Sequence, residues 1–292
     1  MAFSTPFLAD RILKLGYLGV DFFFVLSGFI IFHSTIGRNR TIGSYAAARF
    51  KRVYLPYLPV GLSLALLYSL APHLSASSRD WAWFPTLTLA PVASATALSV
   101  AWTLKHEVLF YVLFGLGFFL GRLWQVLGLW LVFIMIAMTF RAPENIVLAP
   151  INLEFFFGIA CAMLARRNWG PDWLVPVGLA LIAIWLLTGA DRSFSPVVGL
   201  AFALIILPIV RRERMGALRV PRWLTFLGAA SYAIYLVHNP LISVAARFYS
   251  SDPYGMLLCG SSAGLLGGIL YYWFVERRIM KSAFLTGSQA PG

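Results

Sequence analysis

Apolar residues along this chain come in long blocks rather than in stripes. Nine stretches, at about 15–33, 54–71, 100–121, 124–140, 151–165, 174–189, 196–210, 224–249 and 255–275, carry few charges, and most of the Arg residues lie in the segments between them. A helix that is apolar all round has no face for water and belongs inside a bilayer or a large bundle. At a rise of about 1.5 Å per residue, such stretches cover most or all of a hydrocarbon layer ~30 Å thick. The pattern predicts an all-α fold, a polytopic transmembrane bundle of about nine spanning helices. A further apolar segment, 81–99, contains Pro85, Pro91 and a run of small residues, which disfavour a spanning helix; it is expected to be interfacial or re-entrant. On this pattern residues 1–285 form a single integral membrane domain, and 286–292 a short polar tail.

Composition sharpens the picture. The 292 residues are 60% apolar and 12% charged, with mean hydropathy +0.80, against the ~25% charged residues of an ordinary soluble enzyme. A net charge of +12 would suggest a nucleic-acid partner in a soluble protein. Here the basic residues sit between apolar stretches, as in the cytoplasmic loops of membrane proteins, so the partner is the lipid bilayer and no nucleic acid is expected. If the first stretch ends inside, sixteen Lys/Arg fall in inside segments and five, Arg11, Lys14, Arg79, Arg141 and Arg192, fall outside. That asymmetry predicts a multi-pass protein of the plasma (inner) membrane with a cytoplasmic C-terminus. Nine spans then leave the N-terminus outside, and a further span before Met1 is expected. Cys161 and Cys259 lie within apolar stretches and read as packing residues; no metal site is expected.

Ionisable residues inside the spans are the candidate chemistry, because burying a charge in hydrocarbon costs at least ~2.5–3.5 kcal/mol. They are Asp21, Glu107, Glu154 and His238. In the assigned orientation the three acids fall in the outer parts of their helices, which predicts a shared extracytoplasmic polar pocket. Thr103, Glu107 and Tyr111 recur at i, i+4, i+8, and Ser231, Tyr235 and His238 at i, i+4, i+7, so each set forms one polar stripe. Facing one another across a cavity, they would bring together a carboxyl and an imidazole as base, or as orienter of a base. The alternative is interhelical hydrogen bonding that only holds the bundle together. Glu154 is near enough to a helix start to act as a capping acid. His106 turns about 100° from Glu107 and, with Lys105, is expected to face headgroups or the lumen. Arg49 and Arg52 share a helical face ahead of Pro56, an arrangement suited to bidentate capture of phosphate or to anchoring on anionic lipid. The five arginines from Arg211 to Arg222 read as anchors.

Four segments carry a resemblance. GYLGVDFFFVLSGFII at 16–31, AWTLKHEVLFY at 101–111, SYAIYLVH at 231–238 and Arg49-Phe50-Lys51-Arg52 resemble motifs of the acyltransferase family 3 membrane O-acyltransferases. They match, in order, its second membrane helix, its Trp-(Ser/Thr)-Leu-x-x-Glu-x-x-Phe-Tyr signature, a motif near its last helices, and its cytoplasmic Arg-x-x-Arg. The resemblance covers nearly the whole chain and looks closest to the exopolysaccharide and lipooligosaccharide branch. It implies transfer of an acyl group, usually acetyl, from cytoplasmic acetyl-CoA or another acyl-CoA to a hydroxyl of a glycan on the outer side. It also implies that Arg49 and Arg52 contact the CoA phosphates, that Trp102 and Glu107 line the catalytic centre, and that Asp21 and His238 are pocket residues. With the two stripes, Glu107, His238 and Asp21 become the candidate catalytic residues, and Trp102, Thr103, Tyr111 and Tyr235 the candidate lining of the substrate pocket. The family pattern has ten spans and a histidine, regarded as the base, on the first. This chain starts in what would be the following loop, and no residue matches that histidine. The competing expectation is a catalytically inactive relative, or a permease-like component of polysaccharide export.

Overall fold

The structure is a computed structural model that describes residues 7–74, 80–143, 145–188, 195–248 and 253–281. The predicted tail at 286–292 lies outside the described residues. Among the described residues ten α-helices follow one another: α1 Phe7–Thr35, α2 Ile42–Leu70, α3 Trp83–Thr88, α4 Trp102–Phe119, α5 Leu123–Thr139, α6 Leu153–Arg166, α7 Leu174–Thr188, α8 Ser195–Arg214, α9 Arg222–Phe248 and α10 Pro253–Tyr271, which runs on into a π turn at Tyr272–Glu276. No strand occurs among the described residues. Each of the nine apolar stretches coincides with one of the nine longer helices. Among the described residues, three segments are both long and apolar enough to cross a membrane: Gly16–Thr35, Ile42–Leu70 and Tyr254–Lys281. The helices Leu123–Thr139 and Leu174–Thr188 are apolar but shorter, rising only some 22–26 Å against a ~30 Å hydrocarbon layer.

The chain divides into two compact units. The first comprises Met1–Asp10, Gly43–Lys105 and Pro221–Gly292, and the second Arg11–Ile42 and His106–Val220. In the first, α9 and α10 pack antiparallel on a row of glycines four apart. A Cβ on Gly268 would fall 2.4 Å from Ile234 Cα, and one on Gly264 3.1 Å from His238 Cβ, so only small residues let these backbones meet. Hydroxyls tie the pair to α2: Tyr232 donates to the Val53 carbonyl at 3.0 Å and Tyr271 to that of Pro56 at 2.6 Å. The segment 81–99 is a folded loop containing α3 and a lone bridge between Trp81 and Ala95. Tyr57 donates to the Thr86 carbonyl at 2.8 Å, the Thr86 hydroxyl accepts from Ala97 N–H at 2.9 Å, and Leu89 and Leu98 are fully buried.

In the second unit α1 and α6 cross antiparallel at two glycines. A Cβ on Gly28 would lie 2.2 Å from the Phe155 carbonyl oxygen, and one on Gly158 2.0 Å from that of Val25. Behind this crossing Val25, Cys161, Ala165, Leu174, Ala203, Ile206 and Leu207 form a core from α1, α6, α7 and α8. Aromatic rings extend it: Phe155 stacks on Phe110 with centroids 4.2 Å apart and meets Phe24 edge-on at 4.9 Å, so α4 and α1 are held against the same α6 side chain.

Candidate functional site

Each unit holds a polar cluster in otherwise apolar surroundings. In the second, Glu107 on α4 is 1% exposed. Its Oε1 accepts from Tyr111, one turn later on the same helix, at 2.5 Å and from Ser27 on α1 at 3.1 Å. The neighbouring His106 is also buried, with its ring edge-on to Phe24 at 5.9 Å. Its Nδ1 lies 2.8 Å from Asn152 Oδ1. The Asn152 amide nitrogen donates to the carbonyls of Ile146 and Val147 at 2.8 and 3.2 Å, which turns its oxygen toward the imidazole and makes Nδ1 the donor. Such an orienting bond places the lone pair of a neutral ring on Nε2. Glu154, two residues on, is fully buried in the first turn of α6, where the helix dipole favours an acid. Gly199 on α8 makes room for it: a Cβ there would meet Glu154 Cγ at 2.5 Å. Asp21 is buried on α1 one turn before Phe24. All three predicted acids thus fall in the same unit and all are buried.

The cluster in the first unit centres on Tyr235. Its hydroxyl lies 2.6 Å from Thr103 Oγ1 and 2.7 Å from the Val100 carbonyl, which Thr103 also reaches at 3.1 Å. His238 Nδ1 sits 2.6 Å from the Tyr235 carbonyl oxygen. A carbonyl can only accept, so Nδ1 donates and the neutral ring again carries its lone pair on Nε2. Asn239 accepts from Ser99 at 3.0 Å, and a small cavity of about 30 Å³ opens beside them, lined in part by Tyr68 and Ser243, large enough for a water. Ser231, the third member of the stripe, is exposed and donates to the Gly228 carbonyl. Trp102 opens α4. On α2, Arg49 and Arg52 are half-buried; the Arg49 guanidinium lies 5.8 Å from the Tyr45 ring, and Arg52 acts on Glu276 through its charge.

Residues 2–273 match the acyltransferase domain of acyltransferase family 3. The chain belongs to that family. Over 295 residues it is 30% identical to the exopolysaccharide production protein ExoZ of Rhizobium meliloti (strain 1021), covering 91% of this chain and 90% of that one. Over 302 residues it is 27% identical to the acyltransferase MdmB of Streptomyces mycarofaciens, covering 88% of this chain and 76% of the relative. No solved structure matches. The chain is an acyltransferase and, with its apolar helices, a membrane protein.

The two polar stripes divide between the units. Thr103 belongs to the first and meets Tyr235, whereas Glu107 and Tyr111 belong to the second and meet each other and Ser27. Two expectations fail. Lys105 and His106 do not face headgroups. Both are buried, and the Lys105 ammonium donates to the carbonyls of Val92 at 2.9 Å and Ser94 at 2.6 Å, acceptors that replace the water a buried cation loses. Ser27, Asn152, Asn239 and Glu276 are not singled out by the sequence pattern. Ser27 carries one signal, a small polar residue beside a glycine within an apolar helix, the composition of close helix contacts in membranes.

Proposed function

We propose that the chain is an O-acyltransferase of the plasma (inner) membrane that moves an acyl group, acetyl in the first instance, from cytoplasmic acyl-CoA to a hydroxyl of a cell-surface polysaccharide or related glycan. The observation that carries this reading is the likeness, over nine-tenths of both chains, to a protein of exopolysaccharide production. The reading includes nine crossing helices and a cytoplasmic C-terminus. Helices as short as α5 and α7 cross by thinning the bilayer and snorkelling their flanking residues; α5 lies between Arg122 and Arg141.

Arg49 and Arg52, one turn apart on α2, are assigned the donor's phosphates, whose oxygens suit the planar guanidinium fork. Glu107, with its Oε1 held by Ser27 and Tyr111, and His238, with Nδ1 tied to a carbonyl, are the proton-handling groups. Asp21 is assigned to the same chemistry as a pocket acid, and Trp102, Thr103, Tyr111 and Tyr235 to the substrate lining. In the reaction the acceptor hydroxyl attacks the thioester carbonyl while a base takes its proton. The new C–O bond forms, the C–S bond breaks, and the proton ends on the departing CoA sulfur.

Membranes carrying the protein, given labelled acetyl-CoA and the polysaccharide of the source cell, are expected to place alkali-labile label on the glycan. Absence of ester-linked label with acetyl-, propionyl- and succinyl-CoA alike would overturn the reading. Arg52→Gln removes a charge-assisted contact of ~1.5–3 kcal/mol. The KM for acyl-CoA should therefore rise roughly ten- to a hundredfold, with kcat little changed. A kcat loss at constant KM would take Arg52 away from donor binding.

A further inference from the structure

A cavity of about 580 Å³ opens in the second unit where the end of α1, the end of α4 and the start of α5 come together, lined by Ile36, Phe118, Gly121, Leu123, Trp124 and Gln125. Its lining side chains are apolar and aromatic apart from Gln125, and arginines adjoin the lining residues along the chain. Arg122 stands between the lining residues Gly121 and Leu123. Arg166 donates to the Ile36 carbonyl at 2.6 Å, with its guanidinium 5.2 Å from the Phe32 ring. Arg38 and Arg40 follow Ile36 in the chain. The segments 36–40 and 118–125 contain these three arginines and no acid.

Other arginines of this unit are committed within the protein. Arg212 pairs with Asp172 at 2.9 Å and holds that carboxyl below the usual carboxylate range, while Arg211 and Arg214 donate to the carbonyls of Gly170 and Ala165. The guanidinium groups of Arg38 and Arg122 have no side-chain or carbonyl partner among the described residues. We propose that the cavity holds one anionic phospholipid, with its phosphate against Arg38 and Arg122 and the upper part of an acyl chain against Phe118, Leu123 and Trp124.

The chemistry of the walls selects this occupant. A soluble phosphate would satisfy the arginines but leave the aromatic wall in water, and a purely apolar ligand would leave two cations unneutralised. A zwitterionic lipid brings its own cation to segments that have no acid to receive it. Basic pockets between membrane helices bind lipid headgroups in this way, and tryptophan sits at headgroup level. The proposal does not depend on the acyl-transfer reading.

The test uses the full-length protein in phosphatidylcholine nanodiscs, titrated with phosphatidylglycerol brominated near the top of its chains, with brominated phosphatidylcholine in parallel. Phosphatidylglycerol is expected to give a saturable quenching component that phosphatidylcholine lacks and that Trp124→Phe removes. Arg38→Gln with Arg122→Gln should weaken that component about 25-fold, roughly fivefold for each near-surface cation lost, and leave the phosphatidylcholine signal unchanged. Equal quenching by the two lipids, an unaltered signal in the double variant, or displacement of the lipid by inorganic phosphate or acyl-CoA would each overturn the proposal. The comparison of the two lipids on the unmodified protein decides the question even where a variant fails to fold.

Discussion

Glu107→Gln is expected to lower acyl transfer at least about a hundredfold while leaving the fold intact. The substitution is selective because a glutamine Oε1 still accepts from Ser27 and Tyr111, the two donors that reach Glu107 Oε1 at 3.1 and 2.5 Å. Shape and hydrogen bonds survive, and only the capacity to hold and release a proton is lost. A positioned acid or base contributes roughly 10²–10⁴-fold to rate, which sets the size of the loss. Ser27→Ala and Tyr111→Phe each remove one donor and keep the carboxyl. Their cost is that of a single hydrogen bond, about 1 kcal/mol, or roughly fivefold in rate. Initial rates on labelled acyl-CoA, with thermal melts of the same preparations, check the ordering. A Glu107→Gln protein that retained more than about a tenth of the rate would return the carboxyl to the role of an interhelical tie.

The same residues show what a sequence discloses and what it withholds. Glu107 and Tyr111 are legible because their relation is local: four residues on a helix set them on one face. Tyr235 and Thr103 are legible as members of stripes, but nothing local says that their hydroxyls share the Val100 carbonyl. Ser27 reaches Glu107 across 80 residues of sequence, and only the tertiary packing of α1 beside α4 brings it there. His106 is placed by its neighbours as much as by its own helix. It does turn away from Glu107, as helix geometry requires, yet in a bundle the far side of a helix is another helix, here the entry of α6 at Asn152. Lys105 fails for a related reason: its acceptors are backbone carbonyls of a loop, and carbonyls are the same at every position of a sequence. The helices themselves are readable throughout, because all-round apolarity has a period of one and needs no partner to be seen.

Gly158→Ala is expected to damage the fold more than a single added methyl usually does. The new Cβ would lie 2.0 Å from the Val25 carbonyl oxygen and 2.8 Å from Phe29 N. Both are backbone atoms, so no rotamer change relieves the contact and α1 must move off α6. Overpacking of this kind costs ~1–3 kcal/mol where side chains can yield, so a backbone contact this close should reach at least ~3 kcal/mol. Gly28→Ala, 2.2 Å from the Phe155 carbonyl oxygen, should behave alike. Gly128→Ala is the internal control: it too lies within a helix, α5, but no atom stands within 4 Å of the place its Cβ would take. It is expected to be neutral or slightly stabilising, since alanine outranks glycine in a helix by roughly 0.5–1 kcal/mol. Melting of the three variants in one detergent distinguishes them, and a Gly158→Ala protein that melts with Gly128→Ala would mean that α1 and α6 are not in this contact. Because Gly28 directly follows Ser27, a shift of α1 also moves the serine hydroxyl out of its place against Glu107 on α4. Protein that does fold should therefore lose the share of its rate carried by that hydrogen bond, and Ser27→Ala should cost it nothing further.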